Sequence, residues 1–396
     1  MSSRPFTFRA ARWVLLVALA DAGCSVDDVI ATVRCAGRVC DVPLPGFCSE
    51  QGPMIAGAQD ASLCGGKLLA SSLPSPLCVC GMLSGGDLQL DSFDSAVGPY
   101  QAGSTGGDVG VVGGISPQGS WNIGGALRSS SATTAQVLGT LWVRGPLSLA
   151  GDLSGDTVRA AADAEIGGNI SLVNLSVMGT LTTPIGSTTS VTGQRAINQA
   201  RSAAVQVAPP CPCDLDPYVS GPMLAIQAAS QTSRLGLDQN ALEGYAGSPV
   251  LSLSCGRYYF QRVSGLGSLS IQISGRVELA IGGGLSVGNA LTISLAEGAQ
   301  LDLYVHGDVE VGGVVAIGDP SSPPRVRFFA GGVDSISLAG GGFIGAVLMG
   351  RRRAVSISSP LDFYGGLIVD SLSLNSLFRV HYDQQILNLT GSCPSQ

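Results

Sequence analysis

The chain has 396 residues, 56 of them Gly, only 12% charged side chains, a formal charge of −7 and a mean hydropathy of +0.35. That glycine share without a Gly-X-Y period excludes collagen and implies many tight turns, and an acidic, sparsely charged chain lacks a nucleic-acid footprint. No run of 18 apolar residues offers a transmembrane helix, so the apolar content has to be buried in many short pieces.

At the N-terminus, Arg4, Arg9 and Arg12 precede an apolar run at 13–20 and then small residues, the layout of a secretory signal peptide over residues 1–23. Two cleavage readings stay open. Ala20-Asp21-Ala22 suits ordinary signal peptidase. Ala22-Gly23-Cys24 is similar to the end of a bacterial lipobox, whose cysteine is acylated and becomes the mature N-terminus, although Asp21 stands where that pattern has Leu. On the second reading Cys24 is a lipid anchor to the membrane, and Ser25 after it implies outer-membrane sorting. Removing residues 1–23 takes away three Arg and one Asp, leaving −9.

Setting Cys24 aside, ten cysteines form two even groups: Cys35, Cys40, Cys48, Cys64, Cys78 and Cys80, then Cys211, Cys213, Cys255 and Cys393. Even groups in a secreted chain suit disulfides, and the reading is three bridges in the first group and two in the second, with connectivity open. Zinc is disfavoured, because Cys78-x-Cys80 and Cys211-x-Cys213 lack ligand spacing and the chain has two His in all.

Residues 24–90, rich in Cys, Gly, Ser and Pro and without periodicity, read as a disulfide-stapled, membrane-proximal module. Residues 91–210 change to short alternating runs such as Leu147-Ser-Leu149 and Ile170-Ser-Leu172, punctuated by Gly, and read as a first strand-and-turn segment. Residues 211–255 interrupt it with a CxC pair, then Asp216-Pro217 and Ser220-Gly-Pro222 ahead of the helix-forming "MLAIQAASQ", which predicts a short helical insertion. Alternation returns over 256–385, with pairs such as Leu269/Ile271 and Leu301/Leu303, before a tail at 386–396. Strands of about five residues recurring every seven or eight predict rungs of roughly 20 to 25 residues. Low aromatic content and small aliphatic interiors favour a right-handed parallel β-helix (solenoid) over a β-sandwich, which uses fewer and longer strands.

Three stretches carry a resemblance: "GRYYFQRVSGLGSLSIQISGRVELAIGGGLSVGNALTISLAEGAQLDLYVHGDVEVGG", "VRFFAGGVDSISLAGGGFIGAVLMG" and "DFYGGLIVDSLSLNSLFRVHYD". Together they resemble a family of bacterial, myxobacterial-type envelope lipoproteins with a β-helical domain of unknown function. Related stretches occur beside type IV pilus-assembly modules, and a weaker similarity connects to bactofilins. The resemblance covers 256–385 well and the CxC-plus-insertion stretch before it more loosely, and it implies fold and compartment; it brings no catalytic residues.

The stretch "LDLYVHGDVEV" at 301–311 sets Asp302, Tyr304, His306, Asp308 and Glu310 on the face opposite its apolar residues. Carboxylates on an outward strand face are what glycoside chemistry requires, but a half-buried strand has to place polar groups outside in any case. The row is therefore read as a solvated face. Arg351, Arg352 and Arg353 are possible contacts for an anionic glycan, set against a solvated rung corner. His381-Tyr382-Asp383, near the end of the strand array, reads as a cap. With no phosphate loop, calcium nonapeptide, GxSxG or HExxH, the sequence implies no cofactor, metal or catalytic residue. The expectation is a non-enzymatic envelope lipoprotein with a structural, adhesive or assembly role, its partners being the membrane, envelope polysaccharide or another copy through the β-helix ends. The alternative is a carbohydrate-active β-helix.

Overall fold

An alternating run can bury one face only by pairing with other runs, and a chain with many such runs satisfies them by stacking one coil on the next. The computed structural model describes residues 73, 75–214 and 219–391, and the backbone of three short N-terminal strands, Cys24–Asp27, Thr32–Cys35 and Arg38–Val39. From Leu77–Val79 to Phe378–Asp383 a 30-stranded parallel sheet winds as a β-solenoid. Its interior is a continuous column of Leu, Ile and Val, including Leu303 at 0% exposure. Each such side chain contributes roughly 1.5–3 kcal/mol on burial.

The rungs are in register. Leu77, Val109, Leu127, Leu147, Ala164 and Leu181 stack on one another, at steps of 32, 18, 20, 17 and 17 residues. The long first step contains the loop 94–106. Val263, Leu285, Val309, Ile336, Val355 and Leu372 do the same at 22, 24, 27, 19 and 17. The spread brackets the expected 20–25, because corner loops vary while the strands keep register. The corners explain the Asp and Asn between strands: Asp108, Asp152 and Asp163 each accept a backbone N–H of the next rung, from Ala126, Asn169 and Thr180 at 2.8, 2.6 and 2.7 Å. At Gly155 (φ +123°) a Cβ would lie 1.8 Å from the Val137 carbonyl oxygen, so only glycine fits that bend.

The order of the rungs is not the order of the chain. Leu77 pairs with Leu367, Leu83 with Leu372 and Leu88 with Phe378, so the last rung stacks on the first. The chain enters the solenoid in its middle and winds out to Arg195–Ser202 at one end. It returns along the outside, and winds from Glu243–Tyr245 at the other end back to the middle. The solenoid thus begins at Leu77, inside the stretch read as a Cys-rich module, and the two strand segments form one stack.

The return crossing is an extended strap at 203–214. Disulfides Cys78–Cys211 and Cys80–Cys213 fix it to the first rung. This corrects the expected grouping: both bridges join the two cysteine groups. Cys255 is also bridged, to a partner outside the described residues, and no described cysteine is free. Glycine at 110 makes room, since a Cβ there would lie 2.7 Å from the Cys211 sulfur. Past the strap, Val219 packs on Gly331, and Met223 and Ile226 of the helix Ser220–Ala228 join an outer cluster with Tyr259, Ala280, Tyr304, Phe329, Met349 and Ile368. Leu235 and Leu242 then enter the interior column next to the terminal strands, so the expected helical insertion serves as strap and end cap.

Candidate functional site

The strap decides the fate of the row at 301–311. Asp302 and Tyr304 point outward as expected but are 0% exposed, and Tyr304 packs in the outer cluster with Val219 and with Met223 and Ile226 of the helix Ser220–Ala228 that follows it. The solvated-face reading holds only for His306, Asp308 and Glu310. Register explains how a buried carboxylate is tolerated: Arg257, Glu278, Asp302 and Arg327 occupy one ladder on successive rungs. Arg257 Nε donates to Glu278 Oε2 at 2.5 Å, and Arg327 Nε donates to Asp302 Oδ1. Burial, with the neighbouring Asp302 charge, pushes the Glu278 carboxyl up to about 7 against the pull of Arg257. Asp308 acts at a corner, accepting the Ser335 N–H at 2.8 Å.

The arginine triplet divides between interior and solvent. Arg351 and Arg353 are 3% and 0% exposed, and only Arg352 faces solvent. The register of Gly342–Ile357 against Leu361–Leu374 shifts between Gly350 and Ala354, which turns the triplet around a corner instead of presenting it as a cluster. Arg353 Nη2 donates to the His306 carbonyl at 2.5 Å, and its Nη1 lies 3.8 Å from Asp334 Oδ2. Cys40, Cys48, Cys64 and Cys393 lie outside the described residues, as do residues 1–23 and the side chains of Cys24 and Cys35.

The 381–383 triplet is not at an end of the array. It lies at the seam between last and first rungs, where Phe378–Asp383 pairs with Leu88–Phe93. Asp383 accepts the Ser95 and Gln385 N–H groups and fastens the loop 94–106, while Tyr382 joins the outer cluster on the strap side. His381 faces the opposite way, into a groove of about 470 Å³ whose floor is the sheet and whose wall is that loop.

This seam groove gathers residues from distant parts of the chain. His381 Nδ1 is 2.7 Å from Asp91 Oδ1, and the Tyr100 hydroxyl donates to Asp91 Oδ2 at 2.8 Å. A carboxylate only accepts, so Nδ1 carries the proton in this pair, and Nε2 is 4.0 Å from Asp362 Oδ1. Arg379 Nη1 donates to Asp362 Oδ1 at 2.9 Å. Tyr100 and Tyr364 flank the imidazole, with ring centroids 4.0 and 4.7 Å away. Burial first, and then the bond to Asp91, raises the Tyr100 phenol above its usual value; burial also raises Tyr364, so both rings are neutral platforms, and the Tyr100 hydroxyl is fixed by Asp91. Arg144 and Asn122 line the groove beyond Asp91.

Chemically, half-buried aromatic rings beside fixed carboxylates, guanidinia and an amide suit a ligand with apolar faces and polar edges. Among the described residues no three His, Cys, Asp or Glu side chains are placed to hold a metal. Of this set the sequence pointed only to His381. Tyr364 and Asp362 sit on the outward phase of "LDFYGG", a legible sign, but their meeting with Asp91 and Tyr100 depends on a seam joining residues almost 300 positions apart.

Fold and site together define a strap-locked parallel β-solenoid with one groove at its seam. Residues 211–389, the strap, the cap and the returning half, match a family described as a domain of unknown function, DUF7305. No curated protein and no solved structure matches the chain. Among the described residues no helix is long and apolar enough to cross a membrane.

Proposed function

We propose that this protein is a non-enzymatic, saccharide-binding scaffold of the bacterial cell envelope, anchored by lipid at Cys24, with the seam groove as its adhesive site. The observation that carries the reading is the groove's combination of two tyrosine rings around His381 with side chains already locked in pairs. Asp91 is held by His381 and Tyr100, and Asp362 by Arg379. Groups fixed by one another bind a ligand at low ordering cost, whereas glycoside cleavage needs an acid and a base that trade protons during the reaction. A signal-peptide-like start, cysteines in bridges and a resemblance to envelope lipoproteins support the compartment.

One observation favours a catalytic reading. His381 is oriented by Asp91 through Nδ1, and among the described residues its Nε2 has no partner within hydrogen-bond distance, the arrangement of a general base. The same experiment separates the two. Mature protein is titrated with envelope polysaccharide fragments by calorimetry, and the mixtures are assayed for new chain ends. Binding that Tyr364→Ala removes, without new ends, supports the scaffold; new ends that His381→Ala abolishes would establish the enzyme. Partition of wild-type protein into detergent, lost in Cys24→Ser, tests the anchor.

A further inference from the structure

The groove is one part of a longer surface. In a parallel solenoid, residues in register on successive rungs stack their side chains in rows along the axis, about 4.8 Å apart. The pairings place Asp362 beside Arg379, Arg379 beside Gln89, Gln89 beside Asn122, Asn122 beside Trp142 and Trp142 beside Arg159. This outward row starts in the groove and runs four rungs beyond the seam. A parallel row two residues further along each strand begins with Tyr364 and His381, which pair, and continues through Asp91 to the corner that holds Arg144.

The chemistry changes along the rows. At the seam, acid and base are matched: Asp362 with Arg379 and Asp91 with His381. Past it, Trp142 is 40% exposed, the Arg144 guanidinium stacks 4.9 Å above its ring, and Arg159 follows one rung on. Both arginines are exposed, and among the described residues neither is within 4.0 Å of a carboxylate. In a chain with a net charge of −7, two guanidinia without acidic partners beside an open indole form a local positive track.

Resting on the groove's reading as a saccharide site, we infer that this face binds a linear, carboxylate-bearing polysaccharide lying along the solenoid axis. Sugar rings stack on Tyr100, Tyr364 and Trp142, and uronic acid carboxylates pair with Arg144 and Arg159. The row from Asp362 to Arg159 spans about 24 Å, so the site accommodates several consecutive sugars.

The test is calorimetric titration of the mature, oxidised protein with uronic acid oligomers from the disaccharide upward, uncharged oligomers of the same lengths, and single-stranded DNA. The expected result is affinity for the uronic series that rises with length until the oligomer spans the track and falls with added salt. Trp142→Ala and Arg159→Gln, both on exposed side chains outside the groove, should each weaken the longer oligomers about tenfold while leaving the disaccharide unchanged. Equal affinity for charged and uncharged oligomers, with loss only in Tyr364→Ala, would overturn the inference and leave the groove a saccharide site. Tighter binding of DNA would overturn it in favour of another polyanion. No binding of any oligomer would overturn both readings.

Discussion

The two bridges between strap and first rung offer a sharp test, because the order of their removal matters. Each closes a loop with sequence separation 133. By loop-closure entropy, the first bridge formed across such a loop contributes about 5 kcal/mol by restricting the unfolded chain. The second then closes only a ring of about six residues, three on each segment with the bridged cysteines included, and contributes about 2 kcal/mol. Cys80→Ser with Cys213→Ser, leaving Cys78–Cys211 intact, should therefore cost about 2 kcal/mol, and the quadruple serine variant about 7. Urea denaturation followed by the fluorescence of Trp121 suits the purpose. This residue is buried one rung from the seam and donates its indole N–H to the Gly86 carbonyl at 2.7 Å. The unfolding slope should rise only in the quadruple variant, whose unfolded chain is more expanded. If losing one bridge costs as much as losing both, the strap is held locally by its contacts and the loop argument is wrong.

Other expectations follow from burial. Leu303→Asp places a lone carboxylate in the interior column and should prevent folding, whereas His306→Gln, three residues on and exposed, should shift stability by no more than about 0.5 kcal/mol; thermal melts of both decide it. Asp302→Ala leaves Arg327 buried without its carboxylate and should cost about 3–5 kcal/mol, and an effect near that of a surface residue would contradict the covered face. Glu278 binds its proton more tightly folded than unfolded, so its contribution to stability is greatest below the ordinary value of 4.5 and is lost as pH rises toward about 7. Glu278→Gln should flatten the dependence of melting temperature on pH across that window; an unchanged slope would assign the dependence to other groups.

Period-two alternation made the solenoid legible, because Leu301, Leu303 and Val305 face the interior whichever rung lies beside them. Burial of the opposite face was not legible, because it depends on what covers the strand. Asp302 and Tyr304 have the phase of solvated residues, yet both are buried, Tyr304 against a helix some 80 positions earlier and Asp302 in its pair with Arg327. The phase of Arg351 and Arg353 was lost for another reason: a register shift of the kind seen between Gly350 and Ala354 leaves no trace in a pattern of apolar residues. Disulfide partners failed similarly. Cys78 and Cys80 are far closer in sequence to Cys64 than to Cys211 and Cys213, and proximity in sequence carries little information once the chain doubles back along a solenoid.

The return path also accounts for the location of the site. A solenoid wound in chain order has neighbouring rungs joined by short corners, so side chains that meet across rungs lie roughly one coil apart in sequence. A chain that begins in the middle creates one junction where the neighbours come from its two ends. The family match ends at 389, so the part of the chain outside it, from Leu77 to Ser202, supplies the rung that the returning half needs beyond Phe378–Asp383. Without that rung the strand would present an unpaired row of N–H and C=O groups. The same junction brings Asp91 and the loop carrying Tyr100 against His381 and Tyr364, side chains that neither segment places together alone. Cys211 and Cys213, at the start of the family match, are bridged to Cys78 and Cys80 just outside it. Edge closure, covalent locking and groove formation are thus one structural event, so a substitution that loosens the rung junction at the seam also disturbs the groove.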